Sequence, residues 1–587
     1  VGVVDDFFNL VKNCPANPRC VAAVKIQTPK DPYAVSVATV AIDTTLGFTP
    51  PMTVVLRRAA TDQFLTAEDF NTTGLISDNN PATVSTFTVG PADPVGLQVL
   101  LAGQTAVPGS GNYLTGPPYG GFTGSISTPT AGSTFTVTVN FVDRFMNLAP
   151  PVCTSGCPVV TVTSNDPYAT NGLTGALSSI GTVSIDNFQL LRKSSVAVVS
   201  ANLVVNDPIC MDNPPSTWNV CHTQAAVTPA FKVYASSAVA LQVVLPGETA
   251  VPGVGKTGLP TPFTINWPAT SFQAEVNLVD SYSNICTDSA QDTNPPAVMP
   301  NVSITLPGDP AATVPSSQNL FQGKRSFSIF PKTSISTYTV VASTGSSPVV
   351  GYAAGTSSQF WTLPAPADHL HFTGVPATKK AGVQFTLGLI AHDAYHNVAS
   401  SGTNVYVGTV TFVAESFSGV QAPEFSPSTV TFSGSVDKGV KPAAVLATLK
   451  KVGSRWMQAY DQNSPWIATD FNPALNGPFV SITASDPDAV GVLPGADTFV
   501  SAGSNSNPGL QEFTGQLTDA FGNAVVNAQT IDIRLVAVTG TPGVIKWDNG
   551  GTWVNAGVST QVVADAQGRV GFTNRLAYFV SNKKDDS

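Results

Sequence analysis

One combination of residues recurs five times along the chain: an aspartate, an aromatic residue two positions later, and an asparagine two positions after that. The copies are Asp5, Phe7 and Asn9; Asp143, Phe145 and Asn147; Asp280, Tyr282 and Asn284; Asp393, Tyr395 and Asn397; and Asp519, Phe521 and Asn523. Carboxylate and amide oxygens are Ca²⁺ ligands. The same side chains also form turns by accepting bonds from nearby N–H groups. Because no Asp-x-Asp sequence accompanies any copy, we favour a turn that closes a sandwich, and calcium stays open as a cofactor.

In the turn interpretation, the asparagine tolerates positive φ and the aromatic ring covers the end of the core. The fourth copy has a second set of chemically active neighbours: His369, His371, His392 and His396. Together with Asp393 these imidazoles could hold a metal. The alternative is structural, because His392 occupies the position of Val142 and Val279 in other copies. We favour the structural interpretation, which assigns no metal ligand.

The rest of the sequence contains no known catalytic motif. It contains no Gly-x-Ser-x-Gly, no His-Glu-x-x-His and no phosphate loop. Acidic residues are scattered, so no carboxylate pair stands out as a glycosidase site. The sequence therefore predicts a protein that is not an enzyme and has no catalytic residues.

Six of the seven cysteines are near neighbours: Cys14 with Cys20, Cys153 with Cys157, and Cys210 with Cys221. The first two pairs follow the repeated motif at equivalent places, which favours local disulfides and an oxidising, extracellular environment. A zinc site is the alternative, but it needs more ligands at one place than a single pair supplies. Cys286 lies in the matching loop of a third repeat with no cysteine nearby in sequence. We expect it to be a buried thiol or an intermolecular link.

Further repeated segments indicate where domains begin and end. A Leu-Gln-Val segment broken by Pro-Gly spans 97–109 and 241–253, with weaker copies at 369–376 and 490–498. Alternating apolar residues predict strands, and Pro-Gly elements interrupt them. An Asp-Pro turn follows the motif at Asp31, Asp166 and Asp309. These landmarks predict five Ig-like domains: an incomplete one at 1–92, one with loop insertions at 93–236, one at 237–365, a divergent one at 366–486, and one at 487–587.

Composition supports an all-β fold. Of 587 residues, 49 are Gly and 47 are Pro, 42% are hydrophobic and only 11% are charged, which favours strands and turns over helices. We therefore expect a tandem array of Ig-like antiparallel β-sandwich domains that forms an elongated rod. The net charge of −10 is unsuited to neutralising phosphates, so we expect no nucleic-acid partner. No run of 18 apolar residues is present, so we expect no membrane insertion.

The motif is most complete as Asp519-Ala520-Phe521-Gly522-Asn523. In this form it resembles the turn of bacterial Ig-like and filamin-type repeat domains. Residues 245–253, followed by 255–258 and by Val279-Asp280, resemble the repeats of very long bacterial surface proteins. The resemblance covers most of the chain and is strongest from 93 to 345. It implies β-sandwich domains and a cell-surface location, but no particular ligand, because such folds serve many functions.

These features predict a structural subunit of an extracellular bacterial assembly: a filament, a sheath or a surface layer (S-layer). Its partners would be copies of itself or flanking parts of a longer chain. The alternative is a cell-surface adhesin stalk or a module that binds a glycan or a protein, with Trp456 and Trp466 of the divergent domain as candidate contacts. The N-glycosylation sequons at Asn71 and Asn301 also leave an attached glycan as an open alternative.

The first predicted domain lacks an opening strand and most of the strand before Asp5. Such a sandwich would expose apolar core and unpaired edge groups. We therefore expect the gap to be filled by upstream sequence or by a strand from a neighbouring subunit. Residues 570–580 are a candidate donor, because the remaining residues to 587 are too polar for a core.

Overall fold

The computed structural model describes residues 1–13, 23–35, 39–70, 85–113, 120–151, 153, 156–204, 226–266, 268, 270–287, 298–335, 337–345, 351–469, 478–493, 509–511, 514–526, 530–534, 543–548, 553–555, 559–571 and 576–580. We call the five predicted domains units 1 to 5. Every strand pairing among the described strands joins two strands of the same unit.

The described part of the chain contains β-strands throughout. Unit 1 has β1 Ala23–Gln27, β2 Val40–Ala41, β3 Ala60–Gln63, β4 Thr66–Asp69 and β5 Phe87–Val89. Unit 2 has β6 Pro94–Leu100, β7 Thr105–Ala106, β8 Phe122–Thr123, β9 Thr134–Asp143, β10 Val159–Ser164, β11 Leu173–Ala176, β12 Thr182–Gln189, β13 Ser194–Ala197, β14 Val199–Leu203, β15 Ala226–Val227 and β16 Phe231–Val233.

The remaining three units follow in the same way. Unit 3 has β17 Ala240–Val244, β18 Glu248–Val251, β19 Gly255–Gly258, β20 Phe263–Thr264, β21 Phe272–Val279, β22 Asn301–Thr305, β23 Gln318–Asn319, β24 Lys324–Ile329, β25 Val341–Thr344, β26 Gly355–Thr356 and β27 Thr362–Leu363. Unit 4 has β28 His369–Thr373, β29 Thr378–Lys380, β30 Phe385–His392, β31 Thr409–Ala414, β32 Glu424–Ser426, β33 Thr429–Thr431, β34 Val440–Thr448, β35 Gly453–Asp461 and β36 Phe479–Thr483. Unit 5 has β37 Ala489–Leu493, β38 Gly509–Gln511, β39 Thr514–Thr518, β40 Thr530–Arg534, β41 Gly543–Asp548, β42 Trp553–Asn555, β43 Ser559–Val563, β44 Arg569–Gly571 and β45 Leu576–Val580.

In units 2 to 5 the strand that leads into the motif lies in the middle of an antiparallel arrangement. The orders are β6-β9-β12, β17-β21-β24, β28-β30-β34 and β37-β39-β44. The first strand of each is the opening strand predicted from the repeated segment. In unit 2 one face of this sheet packs on a second sheet, β11-β10-β14-β15, and Val137, Val139 and Phe141 of β9 join Val160 and Val162 of β10 in one core. The alternating residues of the sequence thus form an all-β sandwich, as predicted.

Two pairings depart from the antiparallel expectation. Strands β20 and β27 pair in parallel, as do β29 and β36. The described residues contain no α-helix, and 3₁₀ turns lie at Gly402–Asn404 and Gly419–Gln421. Within the described residues, no helix has the length and apolar character needed to cross a bilayer.

Unit 1 differs from the others in its sheets and its core. Its described strands form only β2-β1-β4 and β3-β5, and its buried apolar cluster comprises Val3, Val24, Ile26 and Ile42. Among the described residues, eleven large apolar side chains within 1–92 are exposed, against three within 93–236. The candidate donor at 570–580 overlaps β44 and β45, which already pair with β39 and with β38 and β41. That segment could act as a donor only if its own sheets opened.

Candidate functional site: the joints between units

The repeated motif forms the same turn in all five copies. One aspartate oxygen, Oδ1, accepts the backbone N–H groups of the aromatic residue and of the asparagine at 2.8–3.0 Å. The residue before the asparagine has positive φ in every copy: Phe8, Met146, Ser283, His396 and Gly522. The expectation that the asparagine itself would adopt positive φ is therefore wrong. Only Gly522 takes this conformation without a steric penalty from a Cβ atom.

The asparagine side chain of copies two to five binds the backbone of the preceding unit. Its Nδ2 donates to a carbonyl oxygen, and its Oδ1 accepts the N–H two residues further on, all at 2.6–3.0 Å. The pairs are Arg57 and Ala59 for Asn147, Leu191 and Lys193 for Asn284, Lys332 and Ser334 for Asn397, and Lys450 and Val452 for Asn523. Four junctions thus share one hydrogen-bond pattern, which we call the joint.

The second aspartate oxygen completes each joint by holding the linker between the units. Oδ2 accepts the N–H of Ala92, Ser236, Ala365 or Ser485 at 2.9–3.0 Å, and the asparagine Nδ2 at 2.8–3.0 Å. These four aspartates are at most 2% exposed. Because N–H donors surround both oxygens, a cation would have to displace them. The geometry favours the turn interpretation over a calcium site.

In one joint, burial and hydrogen bonds have opposite effects on the pKa of Asp519. Burial raises the pKa of its carboxyl, because a buried charge loses hydration. Hydrogen bonds from the side chain and backbone of Asn523 and from the N–H groups of Ser485 and Phe521 outweigh burial, and the net pKa is lowered. The charged form is therefore favoured within the folded joint.

In the first three joints, the loop bound by the asparagine is also held by its own unit. The carboxylate of the Asp-Pro turn accepts two successive N–H groups of this loop: Arg57 and Arg58 for Asp31, Leu191 and Arg192 for Asp166, and Lys332 and Thr333 for Asp309. The next N–H of the loop donates to the asparagine of the following unit. Three consecutive N–H groups are thus divided between two units, which couples the Asp-Pro turn to the joint.

The aromatic residue of the motif packs against the preceding unit. Tyr282 lies against the core of unit 2 and Phe521 against the core of unit 4. A Cβ atom at Gly132 would lie 2.1 Å from the Tyr282 ring, and one at Gly382 would lie 2.2 Å from the Phe521 ring. The expectation that the ring covers the core of its own unit is therefore wrong in these two copies, because the turn directs it across the joint.

Basic side chains of the bound loop also lie near these rings. The Arg57 guanidinium is 5.3 Å from the centroid of Phe145, and Lys450 Nζ is 5.8 Å from that of Phe521. Both distances lie within the range of cation–π attraction.

The Pro-Gly break of the opening segment has a role at the joint as well. Gly109 and Gly253 have φ of +87° and +96°, and their N–H groups donate to the carbonyl oxygens of Phe145 and Tyr282. A Cβ at Gly109 would lie 3.0 Å from Tyr33, and one at Gly253 would lie 2.8 Å from Tyr168. Glycine is required because the preceding unit approaches its backbone so closely.

Some of the cysteines lie within the described residues and others do not. A disulfide joins Cys153 and Cys157, with the Cα atoms 4.4 Å apart. The Cys286 thiol is buried, and its Sγ donates to the carbonyl oxygens of Ser236 and Asn284. The predicted pairs Cys14–Cys20 and Cys210–Cys221 lie outside the described residues and stay predictions.

The four histidines near the fourth motif do come together. His369 faces His392 across paired strands, with ring centroids 5.5 Å apart, and His369 Nε2 lies 3.1 Å from His396 Nδ1. His392 Nδ1 donates to the His396 carbonyl oxygen, while Asp393 belongs to the joint. No group of three or more ligand residues is arranged around a common point in the described structure. The metal alternative therefore gains no support from the geometry.

Neither a family model nor a curated protein matches this chain. Its structure is similar to that of FdeC, described as a broadly conserved Escherichia coli adhesin, at 14% identity and a TM-score of 0.24 over 68% of this chain and 100% of that one. It is also similar to surface layer protein SbsC, domains 1–6, at 12% identity and a TM-score of 0.16 over 94% of this chain and 61% of that one. A third similar structure holds the four N-terminal Ig domains of Dscam1, at 8% identity and a TM-score of 0.14, over 76% and 94% of the two chains.

Proposed function

We propose that this chain is a non-catalytic structural subunit of an extracellular bacterial assembly, such as a filament, a sheath or a surface layer. The repeated joint carries the proposal. In all four joints the asparagine of the aspartate–asparagine pair hydrogen-bonds to the preceding unit, so the most regular chemistry of the chain serves to hold successive units together. The disulfide at Cys153–Cys157 is in keeping with an oxidising location.

The exposed apolar surface of unit 1 supports an assembly in which another segment covers it. Val1, Phe48 and Val55 are among its exposed apolar side chains, and large exposed apolar surfaces mark interaction sites. We propose that a strand from another polypeptide segment covers this surface by pairing with unit 1.

Electron microscopy of native material tests the assembly. We expect the protein in regular polymers or sheets outside the cell, located by immunogold labelling of unit 3. Isolated single fibres attached to cells, with no lateral or end-to-end order, would reject the assembly in favour of an adhesin.

Unit 4 provides the observation that favours an adhesin or binding module as the second candidate. Trp466 is 76% exposed, and exposed aromatic rings are common contacts for glycans and proteins. A glycan or protein array tests this function, with Trp466→Ala as the variant. Binding that is lost in the variant supports the adhesin, while an array without any signal leaves the structural subunit as the remaining function.

A further inference from the structure

We infer that the joint between units 3 and 4 is a pH-dependent hinge, which holds the two units together near neutral pH and loosens when three imidazoles beside it take up protons. The three are His369, His392 and His396, which we call the histidine triad. The inference goes beyond the proposed function and applies equally to a structural subunit and to an adhesin.

The triad lies where the fourth motif meets the linker. His396 is the positive-φ residue of the turn that Asp393 opens, and its backbone N–H donates to the Asp393 carbonyl oxygen at 2.9 Å. His392 is the last residue of β30, and His369 lies opposite it as the first residue of β28. The chain reaches His369 from the linker through Asp368, whose N–H donates to the His392 carbonyl oxygen at 2.7 Å. A change in the triad therefore acts on both the turn and the linker of this joint.

One hydrogen bond within the triad depends on a neutral imidazole. His369 Nε2 lies 3.1 Å from His396 Nδ1, so one of these nitrogens donates and the other accepts. A protonated imidazole has no acceptor nitrogen, so the bond is lost once both rings are protonated. The two rings are then cations with centroids 4.7 Å apart, and the His392 ring is 5.5 Å from His369 and 6.2 Å from His396. Like charges this close repel each other.

The acidic groups near the triad are either exposed or already bonded. Asp368 Oδ2 lies 3.2 Å from His369 Nδ1, but the Asp368 side chain is 58% exposed, so water screens its attraction. Asp393 accepts N–H groups of the joint with both oxygens, and Asp437, just before β34, pairs with Lys441. Protonation of the triad therefore adds positive charge that these neighbours neutralise only in part. The other titratable groups on the described elements that adjoin the triad, none of them negatively charged at or below neutral pH, are His371, Lys332, Tyr395 and Lys438.

The other three joints have no imidazole, carboxylate or amine at the positions of the triad. The residues in the places of His369, His392 and His396 are Gly96, Val142 and Met146 in unit 2, Ala240, Val279 and Ser283 in unit 3, and Ala489, Thr518 and Gly522 in unit 5. The same strand pairing and turn thus carry uncharged residues in three units and imidazoles in one. We therefore expect the pH response to be confined to the joint between units 3 and 4.

The direction of the response follows from the linkage between protonation and conformation. Burial lowers the pKa of His392, and repulsion from His369, His371 and His396 adds to this effect, against the hydrogen bond to the His396 carbonyl oxygen. An open joint lets the turn move away from β28, which relieves the repulsion, so protons favour the open form. The joint is therefore closed above the ordinary histidine pKa of 6.5 and loosens as pH falls through the lower value of the closed form.

Hydrogen exchange of the full chain, measured by mass spectrometry at about pH 7.5 and about pH 5, tests the inference after correction for the intrinsic pH dependence of exchange. The reporters are the N–H groups of Ser334 and Ala365, which donate to Asn397 and Asp393 at this joint. We expect their protection to fall about tenfold at the lower pH, the factor that corresponds to one pKa unit.

The joint between units 2 and 3 supplies the internal control. Its corresponding N–H groups belong to Lys193 and Ser236 and should keep their protection at both pH values. An equal loss there would indicate general destabilisation by acid and would contradict the hinge. A loss in the core of β30 as large as that at Ala365 would mean that unit 4 itself unfolds, which also contradicts the hinge.

Substitutions in the triad separate the hinge from other effects of pH. His396→Met and His369→Ala insert the residues found at these positions in units 2 and 3, and each should remove the loss of protection at both reporters. His371→Gln changes an exposed imidazole outside the triad and is the matched control, which should still show the loss. A response that survives both triad substitutions, or a wild-type joint equally protected at both pH values, overturns the inference. Either result leaves the proposed function as it stands.

Discussion

An asparagine side chain binds each pair of neighbouring units in the same way. Asn284 satisfies a carbonyl oxygen and an N–H group of unit 2 and both oxygens of Asp280. A shorter or apolar side chain would leave these buried groups without partners, which costs about 1–3 kcal/mol. An aspartate would present a second carboxylate to the first. The amide is required because it donates and accepts at once.

The histidine cluster of unit 4 makes a prediction about pH. Burial lowers the pKa of His392 below 6.5, and repulsion from His369, His371 and His396 adds to the effect, against the hydrogen bond to the His396 carbonyl. The folded state therefore favours neutral imidazole. Its contribution to stability is complete above the unfolded pKa of 6.5 and is lost as pH falls through the folded value.

We expect the unfolding temperature of unit 4 to fall between about pH 7.5 and about pH 5, as measured by calorimetry. His392→Val, which inserts the residue found at Val142 and Val279, should reduce this fall. The acidic neighbours Asp368 and Asp393 and the other histidines remain in the variant. Any pH dependence that they cause is therefore common to both proteins. An identical pH dependence in both proteins would show that His392 is not responsible.

The opening segment shows how a strand break becomes an interface. Between β17 and β18, and again after β18, the chain turns so that Gly253 lies against Tyr168 of the preceding unit. Two costs arise if a Cβ is added there: the strain of positive φ and the collision with the ring.

A pair of glycine variants separates these two costs. Gly172 also has positive φ, +88°, but has no atom within 4 Å of the Cβ position. We expect Gly172→Ala to lose about 1 kcal/mol of stability and Gly253→Ala to lose more, together with faster proteolysis of the linker near Ser236. Thermal unfolding and limited proteolysis measure both effects. Equal losses would mean that Tyr168 moves aside freely.

Along the complete chain, the four joints should govern how stiffly the units are connected. At every joint, hydrogen bonds connect the linker and the loop to the motif. We expect the variant with alanine at Asn147, Asn284, Asn397 and Asn523 to retain folded units and to sample a wider range of inter-unit distances. Small-angle X-ray scattering measures this range. Asn301→Ala, at an exposed strand position, is the matched control and should scatter as wild type does.

Much of the fold could be predicted because its signals are local. The strands before the third and fourth motifs, Phe272–Val279 and Phe385–His392, lie in runs of alternating apolar residues, and such alternation directly reflects burial. The joints could not be predicted. Their partners lie 63 to 93 residues away and contribute backbone groups, which every residue carries. The only sequence signal is a basic residue before the next strand, as at Arg57, Arg192, Lys332 and Lys450.

Because each joint recognises a peptide group and not a side chain, the loop that it binds is free to change in sequence. The bound segments Arg57–Ala59, Leu191–Lys193, Lys332–Ser334 and Lys450–Val452 have almost nothing in common beyond a positive charge, yet all fit the same asparagine. A duplicated or exchanged unit therefore arrives with a working connector at either end. The length of such an array can change by whole units during evolution while the chemistry that joins them is inherited intact.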